Sequence, residues 1–265
     1  MLRTRVIPCL LLHNESLVKT IRFKRFGYIG DPVNTCRIFN ELLVDELVFL
    51  DIQAHHPGHE PNFKVLQEIS NECFMPLAYG GGIRDIQTAE RIFSIGFEKI
   101  VLNSAPFEQP SLIPDLVATF GSQSVIAAID VRRKLWGKYE VYSHSGKRRQ
   151  QRHPVDWAQE LEHQGVGELL LTAIDREGAW QGMDINLTRM VADAVDLPVV
   201  AHGGAGSVQH IGQAVHDGHA SAVALGSMVV YQGRGRGVLV NFPDRTALEK
   251  ILKTCPIRSV SNDSQ

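Results

Sequence analysis

The sequence has few of the features that mark secreted, membrane-bound or nucleic-acid-binding proteins. It has only four cysteines among 265 residues, and none forms a CxxC pair, so neither a disulfide framework nor a thiolate metal site is expected. The apolar run in MLRTRVIPCLLLHN is too short to span a bilayer and lacks a small-residue cleavage site. The formal net charge is −2, which excludes the broad cationic surface of a general nucleic-acid-binding protein. These absences predict a cytoplasmic protein that contacts neither membrane nor nucleic acid.

Eight short apolar, β-branched runs recur along the chain, with amphipathic stretches such as Asp85–Ile95 and Val208–Asp217 between them. The runs are continuously apolar rather than alternating, which is typical of parallel strands buried on both faces. Eight βα units in this length favour a (β/α)8 TIM barrel, an α/β fold, over an open sheet. The predicted strands are Arg5–Leu12, Glu46–Ile52, Pro76–Gly80, Lys99–Asn103, Val125–Asp130, Glu168–Ile174, Pro198–His202 and Ser221–Gly226.

The two halves of the chain resemble each other. PLAYGGG from Pro76 and PVVAHGG from Pro198 align at an offset of 122 residues (198 − 76), and the same offset pairs Glu46 with Glu168. Near the first strand of each half, Val6-Ile7 aligns with Val125-Ile126 at an offset of 119 (125 − 6). No Pro/Gly/Ser-rich linker separates the halves. We therefore predict one domain over 1–265, with half-barrels of about 1–120 and 121–255 and a disordered tail at 256–265.

Glycine-rich turns follow two equivalent strands, one in each half. Glycine lets backbone N–H groups approach a phosphate closely, and the helix that follows adds the positive end of its dipole. One such turn alone would be an ordinary tight turn, but two equivalent turns predict two anion sites at the active end of the barrel, for a ligand with two separated phosphates. The residues expected there are Gly81, Gly82, Asn103 and Ser104 in the first half, and Gly203, Gly204, Gly226 and Ser227 in the second.

Asp130 ends the fifth predicted strand, VIAAID, where a carboxylate can act as a general acid or base. The alternative is an aspartate that only caps a loop or helix. At the offset of 119, its counterpart is Leu11, whose alkyl side chain carries no proton. Further polar residues are expected at the same end: Lys19, Asp51, Thr172 and Glu177-Gly178. The ordinary alternatives are solvation for Lys19, backbone hydrogen bonding for Asp51 and barrel filling for Thr172.

Histidines and basic runs near this end carry weaker signals. The spacing in His55-His56-Pro57-Gly58-His59 could hold a metal, but no acid or cysteine nearby completes a tetrahedral set, so solvated histidines and no metal are expected. His202 either touches a ligand or packs its loop. The basic runs 22–25 and 147–152 are either solvated or steer an anionic ligand. Residues 234–243 are expected to make an extended excursion before a last helix, Asp244–Lys253.

From residue 1 to about residue 230, the sequence resembles the cyclase subunit of imidazole glycerol phosphate synthase (HisF), through motifs such as DELVFLDI, GGGIRD, VLNSAPFEQPSLI, FGSQSVIAAID and GELLLTAIDREG. In that family a glutaminase partner releases ammonia, which passes through the barrel to a bisphosphorylated aminoimidazole-carboxamide ribonucleotide. Two aspartates, at the ends of strands one and five, perform the acid–base chemistry, and no cofactor is expected. The resemblance implies that Asp130 is the second aspartate, that Leu11 replaces the first, and that Lys19 is the catalytic lysine. The family's strand-two aspartate matches Asp51, its strand-six Asp-Gly has become Glu177-Gly178, and its Asp-Gly-Arg turn reads Asn14-Glu15-Ser16.

Charged residues begin four strands at the opposite end of the predicted barrel: Arg5, Glu46, Lys99 and Glu168. By themselves they could be ordinary solvated residues that make weak surface pairs. The resemblance implies instead that they form the charged gate through which ammonia enters. It also implies that Glu98 contacts a HisH-like glutaminase in a heterodimer.

The resemblance leaves three functions to weigh. The first is a lyase that uses ammonia to form imidazole glycerol phosphate in histidine biosynthesis, although loss of one acid–base group is expected to slow such an enzyme by about 10²–10⁴-fold. The second is a paralogue that lacks the strand-one aspartate and channels ammonia to a sugar amidotransferase of surface-polysaccharide (O-antigen, lipopolysaccharide) biosynthesis. The third and weakest is the sibling isomerase barrel of histidine biosynthesis, which also needs the strand-one acid and does not need the gate.

Overall fold

The computed structural model describes residues 4–54, 56 and 58–253, and within them eight parallel strands close into a barrel. The barrel strands hydrogen-bond in the order β1, β4, β5, β6, β7, β10, β11 and β12, and β12 pairs back with β1. The predicted (β/α)8 fold is confirmed, and all eight predicted runs are barrel strands. The twelve strands are β1 Arg5–His13, β2 Ser16–Ile21, β3 Lys24–Gly30, β4 Leu47–Asp51, β5 Leu77–Gly80, β6 Lys99–Leu102, β7 Val125–Arg133, β8 Tyr139–Ser143, β9 Arg148–Arg149, β10 Glu168–Ala173, β11 Val199–His202 and β12 Ala222–Leu225.

Helices surround the barrel, and most of them begin at a side chain that caps their first turn. Asp85, the first residue of one predicted helix, and Ser207, the residue directly before the other, accept hydrogen bonds from the backbone amides of Thr88 and His210. Asp244 likewise accepts from the amide of Ala247 and precedes the last helix. The helices are α1 Pro32–Glu41, α2 Phe63–Glu72, α3 Ile86–Ile95, α4 Ala105–Glu108, α5 Leu112–Phe120, α6 Pro154–His163, α7 Ile185–Ala192, α8 Val208–His216, α9 Ser227–Val230 and α10 Arg245–Lys253. None of the helices described has both the length and the apolarity needed to cross a bilayer.

The strand pleat divides the buried residues between two cores. On β1, Val6, Leu10 and Leu12 belong to the main core outside the barrel, whereas Ile7 and Cys9 belong to a separate cluster inside it. The inner cluster is built largely from small or β-branched side chains: Ile7, Cys9, Val48, Ala78, Val101, Ile126, Ala128, Leu170, Val200, Ala222 and Ala224. Because the pleat alternates, the next inward position after Cys9 is Leu11, and after Ala128 it is Asp130.

Two antiparallel additions to the sheet, absent from the predicted elements, interrupt the βα pattern after β1 and after β7. β2 and β3 form a hairpin in which β2 pairs with β1, while β8 pairs with β7 and β9 pairs with β8. Both additions therefore rise from the carboxyl ends of barrel strands, where they border the site. The excursion after α9 folds back on itself, because Tyr231 and Val238 form an isolated antiparallel bridge. The predicted tail 256–265 and His55 lie outside the described residues.

Candidate functional site

A cavity of about 780 Å³ opens at the carboxyl ends of the barrel strands. Its floor includes Leu50, Val101, Ala128 and Leu170, which continue the apolar interior of the barrel. Many of the predicted site residues line it together: Leu11, Asp51, Gly81, Gly82, Asn103, Ser104, Asp130, Thr172, Glu177 and His202. The cavity is therefore the upper end of the barrel interior, with an apolar base and polar walls.

Asp130 is the ionisable group that rises from the apolar floor. It is paired across the sheet with Thr172 of β10, and its neighbours along β7 are the buried Ile129 and Val131. Burial raises the pKa of Asp130 to about 7, against the opposing effect of a hydrogen bond from Thr172. A carboxyl with this pKa can both donate and accept a proton near neutral pH.

Leu11 occupies the equivalent position on β1. It is buried, lines the same cavity and is paired with Leu50 of β4 and Val18 of β2. This side of the floor is therefore hydrocarbon, and Leu11 supplies no proton donor or acceptor.

Lys19 and Glu177 form an ion pair that is buried on both sides. Thr20 donates to the same carboxylate over 3.0 Å, and the Arg22 amide donates to the Glu177 carbonyl over 3.0 Å. Burial lowers the pKa of Lys19 to about 8. Burial, together with the charge of Lys19, lowers the pKa of His202 to about 3, so this imidazole is neutral. The pair holds the β2–β3 hairpin against the loop that follows β10.

The first predicted anion turn faces the cavity. Gly81 and Gly82 have φ of +134° and +69°, and a Cβ on Gly81 would lie 2.7 Å from the Cβ of Asp51, so both backbone conformation and space require glycine. Asn103 donates to the Ala128 carbonyl over 3.0 Å, and Ser104 donates to the Asn103 side chain over 3.2 Å. These bonds fix the polar side chains beside the glycine amides.

The second predicted anion turn lies behind Lys19. A Cβ on Gly226 would lie 2.7 Å from Cε of Lys19, and Gly178 packs against the backbone of Thr20 and Ile21. Gly203, Gly204, Gly226 and Ser227 do not border the cavity among the residues described, and Ser227 is buried. The structure thus brings the first half's turn to the cavity. In the second half, Lys19 of the hairpin packs on Gly226, whereas Gly203 and Gly204 pack on the end of β10 and the loop that follows it.

Residues of the two hairpins border the cavity as well, and our site prediction missed several of them. His144 bonds to Glu108 over 3.0 Å and to Ser143 over 2.7 Å, and its amide donates to Ser104 over 2.9 Å. The Ser-Gly-Lys motif directly after His144 was the available sequence signal. Lys24, Arg25 and Lys147, from the two basic runs, also line the cavity.

The loop after β4 contributes a carboxylate–imidazole contact. Nε2 of His59 lies 2.7 Å from Oδ2 of Asp51, and the Gln53 amide donates to Oδ1 over 2.8 Å. No three His, Cys, Asp or Glu side chains of the described residues are grouped so that they could hold a metal ion. Asp51 is therefore oriented by His59 and a backbone amide.

At the other end of the barrel, the four charged strand starts form a closed ring. Arg5 bonds to Glu46 over 2.6 Å and also to Glu168, and Lys99 bonds to the same two carboxylates over 3.0 and 3.3 Å. Both glutamates are buried. Burial alone would lower the pKa of Arg5, but Glu168 and Glu46 outweigh it and raise that pKa. Glu98 is exposed beside this ring.

Known proteins match the chain over nearly its full length. The profile of the family described as "Histidine biosynthesis protein" matches residues 5–235. A Pseudomonas aeruginosa protein provisionally named imidazole glycerol phosphate synthase subunit hisF2 is 48% identical over 249 residues, which cover 94% of this chain and 99% of that protein. Imidazole glycerol phosphate synthase subunit HisF of Alkaliphilus metalliredigens is 40% identical over 231 residues, 87% of this chain and 92% of that protein. The resemblance found in the motifs is confirmed: this chain is HisF-like and belongs to the histidine biosynthesis protein family.

Proposed function

We propose that this chain is the synthase-side subunit of a glutamine amidotransferase complex, which receives ammonia at the charged ring and delivers it to the cavity around Asp130. One observation carries the proposal. The ring of Arg5, Glu46, Lys99 and Glu168 and the Asp130 cavity lie at opposite ends of one barrel interior, and that interior is lined largely by small and β-branched side chains.

A HisH-like glutaminase is the partner proposed for the ring end. The relatives are named as subunits of imidazole glycerol phosphate synthase. Around the ring, the exposed Glu98 is accompanied by exposed apolar side chains on α1 and in the turns before β4 and β5, which are unusual on a free surface. These are Ile38, Leu42, Leu43 and Phe74. Together they suit a protein interface with an apolar centre and a charged rim.

The proposed ligand is a bisphosphorylated ribonucleotide. Gly81, Gly82, Asn103 and Ser104 would hold one phosphate with backbone amides and polar side chains. The second phosphate would bind at Gly203, Gly204, Gly226 and Ser227, next to Lys19, once the hairpin and the loop that follows β10 move away. Asp51, Thr172, Glu177 and Gly178 would then contact the sugar and the linkage between the phosphates.

The proposed chemistry is cyclisation and cleavage to imidazole glycerol phosphate, with Asp130 as general acid and base. Its pKa of about 7 suits a proton transfer in each direction. Leu11 leaves the opposite side of the ligand without a proton carrier. Lys19, with a pKa lowered to about 8 by burial, is the nearby titratable group that would take over part of that role.

A second function is favoured by Leu11 itself. In this function the chain binds and activates the glutaminase, senses the phosphorylated ligand, and passes ammonia to a sugar amidotransferase of surface-polysaccharide biosynthesis. A hydrocarbon side chain at Leu11 impairs cyclisation and leaves the passage of neutral ammonia unaffected, because ammonia needs no proton carrier.

Turnover of the bisphosphorylated ribonucleotide with ammonium chloride tests both functions. We expect the wild type to be slow and Leu11→Asp to raise kcat by about 10²-fold or more, because it restores the second acid–base group. Leu11→Asn is the matched control, equal in size and polar but without a titratable proton, and is expected to stay slow. Fast turnover by the wild type would exclude the ammonia-channelling paralogue. Equally slow rates for all three proteins, with glutaminase activation retained, would exclude the cyclase.

A further inference from the structure

Three segments lie at the end of the barrel where the cavity opens and form a surface that we call the rim: residues 21–28, 133–139 and 231–240. Phe23 of the first segment lies against Gly146 of the β8–β9 turn, and Gly27 lies against the hydroxyl of Tyr231 in the third. Tyr139 of the second donates to Asp184, which caps α7 at the same end of the barrel. The rim is therefore one face of the molecule, at the opposite end from the charged ring.

Exposed apolar residues are concentrated at the two ends of the barrel. Ten large apolar side chains are exposed in the described part of the chain. Four are at the ring end, where a glutaminase is proposed, and the other six are on the rim: Ile21, Phe26, Tyr28, Trp136, Val238 and Leu239. Exposed apolar groups clustered at one end of a protein mark an interaction surface.

Trp136 is the clearest member of this cluster. It is 97% exposed at the tip of the β7–β8 turn and has φ of +71°, a conformation that is costly for a bulky residue other than glycine. The side chain contributes little burial to the fold, and a glycine would fit the backbone better. Folding therefore gives no reason for a tryptophan here, whereas binding does, because tryptophan is enriched among the residues that dominate protein interfaces.

The rim is also strongly basic. Its three segments contain eight Lys or Arg residues and no Asp or Glu, although the whole chain has a net charge of −2. Lys134 is paired with the buried Glu140, and the Arg133 amide donates to Asp175. Among the described residues, Arg22, Lys138, Arg234 and Arg236 take part in no ion pair. Steering of a small phosphorylated ligand would account for the charges, but not for Trp136, Val238 and Leu239, which do not border the cavity.

We propose that the rim binds an acidic surface of a second protein, the enzyme that consumes the ammonia. The inference rests on the ammonia-channelling form of the proposed function. A protein docked on the rim covers the mouth of the barrel, so ammonia that enters at the ring leaves into the docked enzyme. The chain then lies between two proteins, with the glutaminase on the ring end and the acceptor on the rim.

The test uses the chain in complex with its glutaminase, and the probe is the purified sugar amidotransferase of the same organism. We expect Trp136→Gly combined with Arg236→Glu to weaken amidotransferase binding about tenfold or more and to lower glutamine-driven amination, while ammonium-driven amination and glutaminase affinity stay unchanged. Because Trp136→Gly relieves the backbone, loss of folding would not explain this result. The matched variant Leu43→Ser with Phe74→Ser, at the ring end, should weaken glutaminase binding and leave the amidotransferase bound.

Equal amidotransferase binding by wild type and the Trp136/Arg236 variant, or no binding by either, would overturn the inference. So would binding of anionic lipid vesicles or duplex RNA that is lost in the same variant, because the rim would then serve another class of partner. Failure of the glutaminase to bind the wild type contradicts the proposed function instead, and that result is measured separately from the rim.

Discussion

Asp130 and Leu11 occupy equivalent inward positions on β7 and β1. Such a position can hold either an acid or a hydrocarbon side chain without a change in the barrel. Both follow two inward apolar residues on their strands, and both border the same cavity. The position desolvates the carboxylate of Asp130, which raises its pKa to about 7 from an ordinary value of 3.8. The desolvation penalty is a property that can be measured apart from any activity.

Replacing Asp130 by asparagine tests this penalty, because the substitution changes how the free energy of unfolding depends on pH. Between pH 3.8 and about 7 the folded protein keeps a proton that the unfolded chain has lost, so the contribution of Asp130 to stability falls as pH rises through that window. The amide of the Asp130→Asn variant does not titrate. We therefore expect the free energy of unfolding of this variant to increase relative to wild type by about 2 kcal/mol between pH 5 and pH 8, as measured by urea denaturation.

The control for this experiment is Gln123→Ala, an exposed substitution that changes no titratable group. Its difference from wild type should stay constant over the same pH range. A constant difference for Asp130→Asn as well would contradict the raised pKa.

Glu46 and Glu68 differ in burial, and we expect their ion pairs with lysine to contribute differently to the free energy of unfolding. Glu46 is buried and accepts from both Arg5 and Lys99, whereas Glu68 forms an exposed pair with Lys64 at 3.9 Å. Glu46→Gln removes one of the two carboxylates that Arg5 and Lys99 share and leaves Glu168 to face both cations, so a loss of about 3 kcal/mol is expected. Glu68→Gln should change stability by less than about 0.5 kcal/mol. Similar losses for the two variants in urea denaturation would show that the ring is not a buried network.

At the scale of the elements, the barrel strands could be predicted from sequence and the two hairpins could not. Continuous apolar runs identify the strands because each is buried on both faces. β2 lacks such a run, since its buried residues include the polar Lys19 and Thr20. The β2–β3 turn also carries no glycine signal, because Arg22 and Phe23 adopt positive φ themselves. The ion pair that accounts for a buried Lys19 joins residues far apart in sequence, which local patterns do not reveal.

The Lys19–Glu177 pair should control how often the β2–β3 hairpin opens. Glu177→Gln removes the charge that faces the buried Lys19 but keeps the Arg22 bond to the Glu177 carbonyl. We expect backbone amides of β2 and β3 to exchange with solvent about ten- to a hundredfold faster, while amides of β10 and β11 keep their rates. Native-state hydrogen exchange measures both.

Glu177→Asp is the matched variant, which keeps the charge on a shorter side chain and should give an intermediate effect. If the exchange of β2 and β3 is unchanged in Glu177→Gln, the ion pair does not hold the hairpin in place, and Lys19 would be free to reach a ligand without breaking it.

At the scale of the whole molecule, the internal repeat predicts that Leu11 and Asp130 lie at the same end of the barrel. The offset that pairs Leu11 with Asp130 placed both at one cavity, because equivalent strands of a closed barrel end at the same face. The repeat could not tell that the second half's glycines are covered, since this depends on Lys19 of the hairpin inserted after β1 and on the loop that follows β10. The internal repeat thus predicts at which end of the barrel a residue lies, and the inserted segments determine whether that residue borders the cavity.

The same repeat predicts how the barrel can be divided. A break between Phe120 and Gly121 falls in a turn where Gly121 has φ of +85°, and it leaves β1 and β4–β6 on one fragment and β7 and β10–β12 on the other. Each fragment alone exposes two sheet edges and the apolar face of the barrel interior, so we expect each to self-associate when expressed alone. Expressed together, 1–120 and 121–265 should purify as a one-to-one complex with the circular dichroism of the intact chain, because the β6–β7 and β1–β12 pairings reform.

A break between Gly96 and Phe97, which cuts one half-barrel before β6, is the matched control and should not yield a complex. Equal recovery from both breaks would mean that the halves are not the units of assembly.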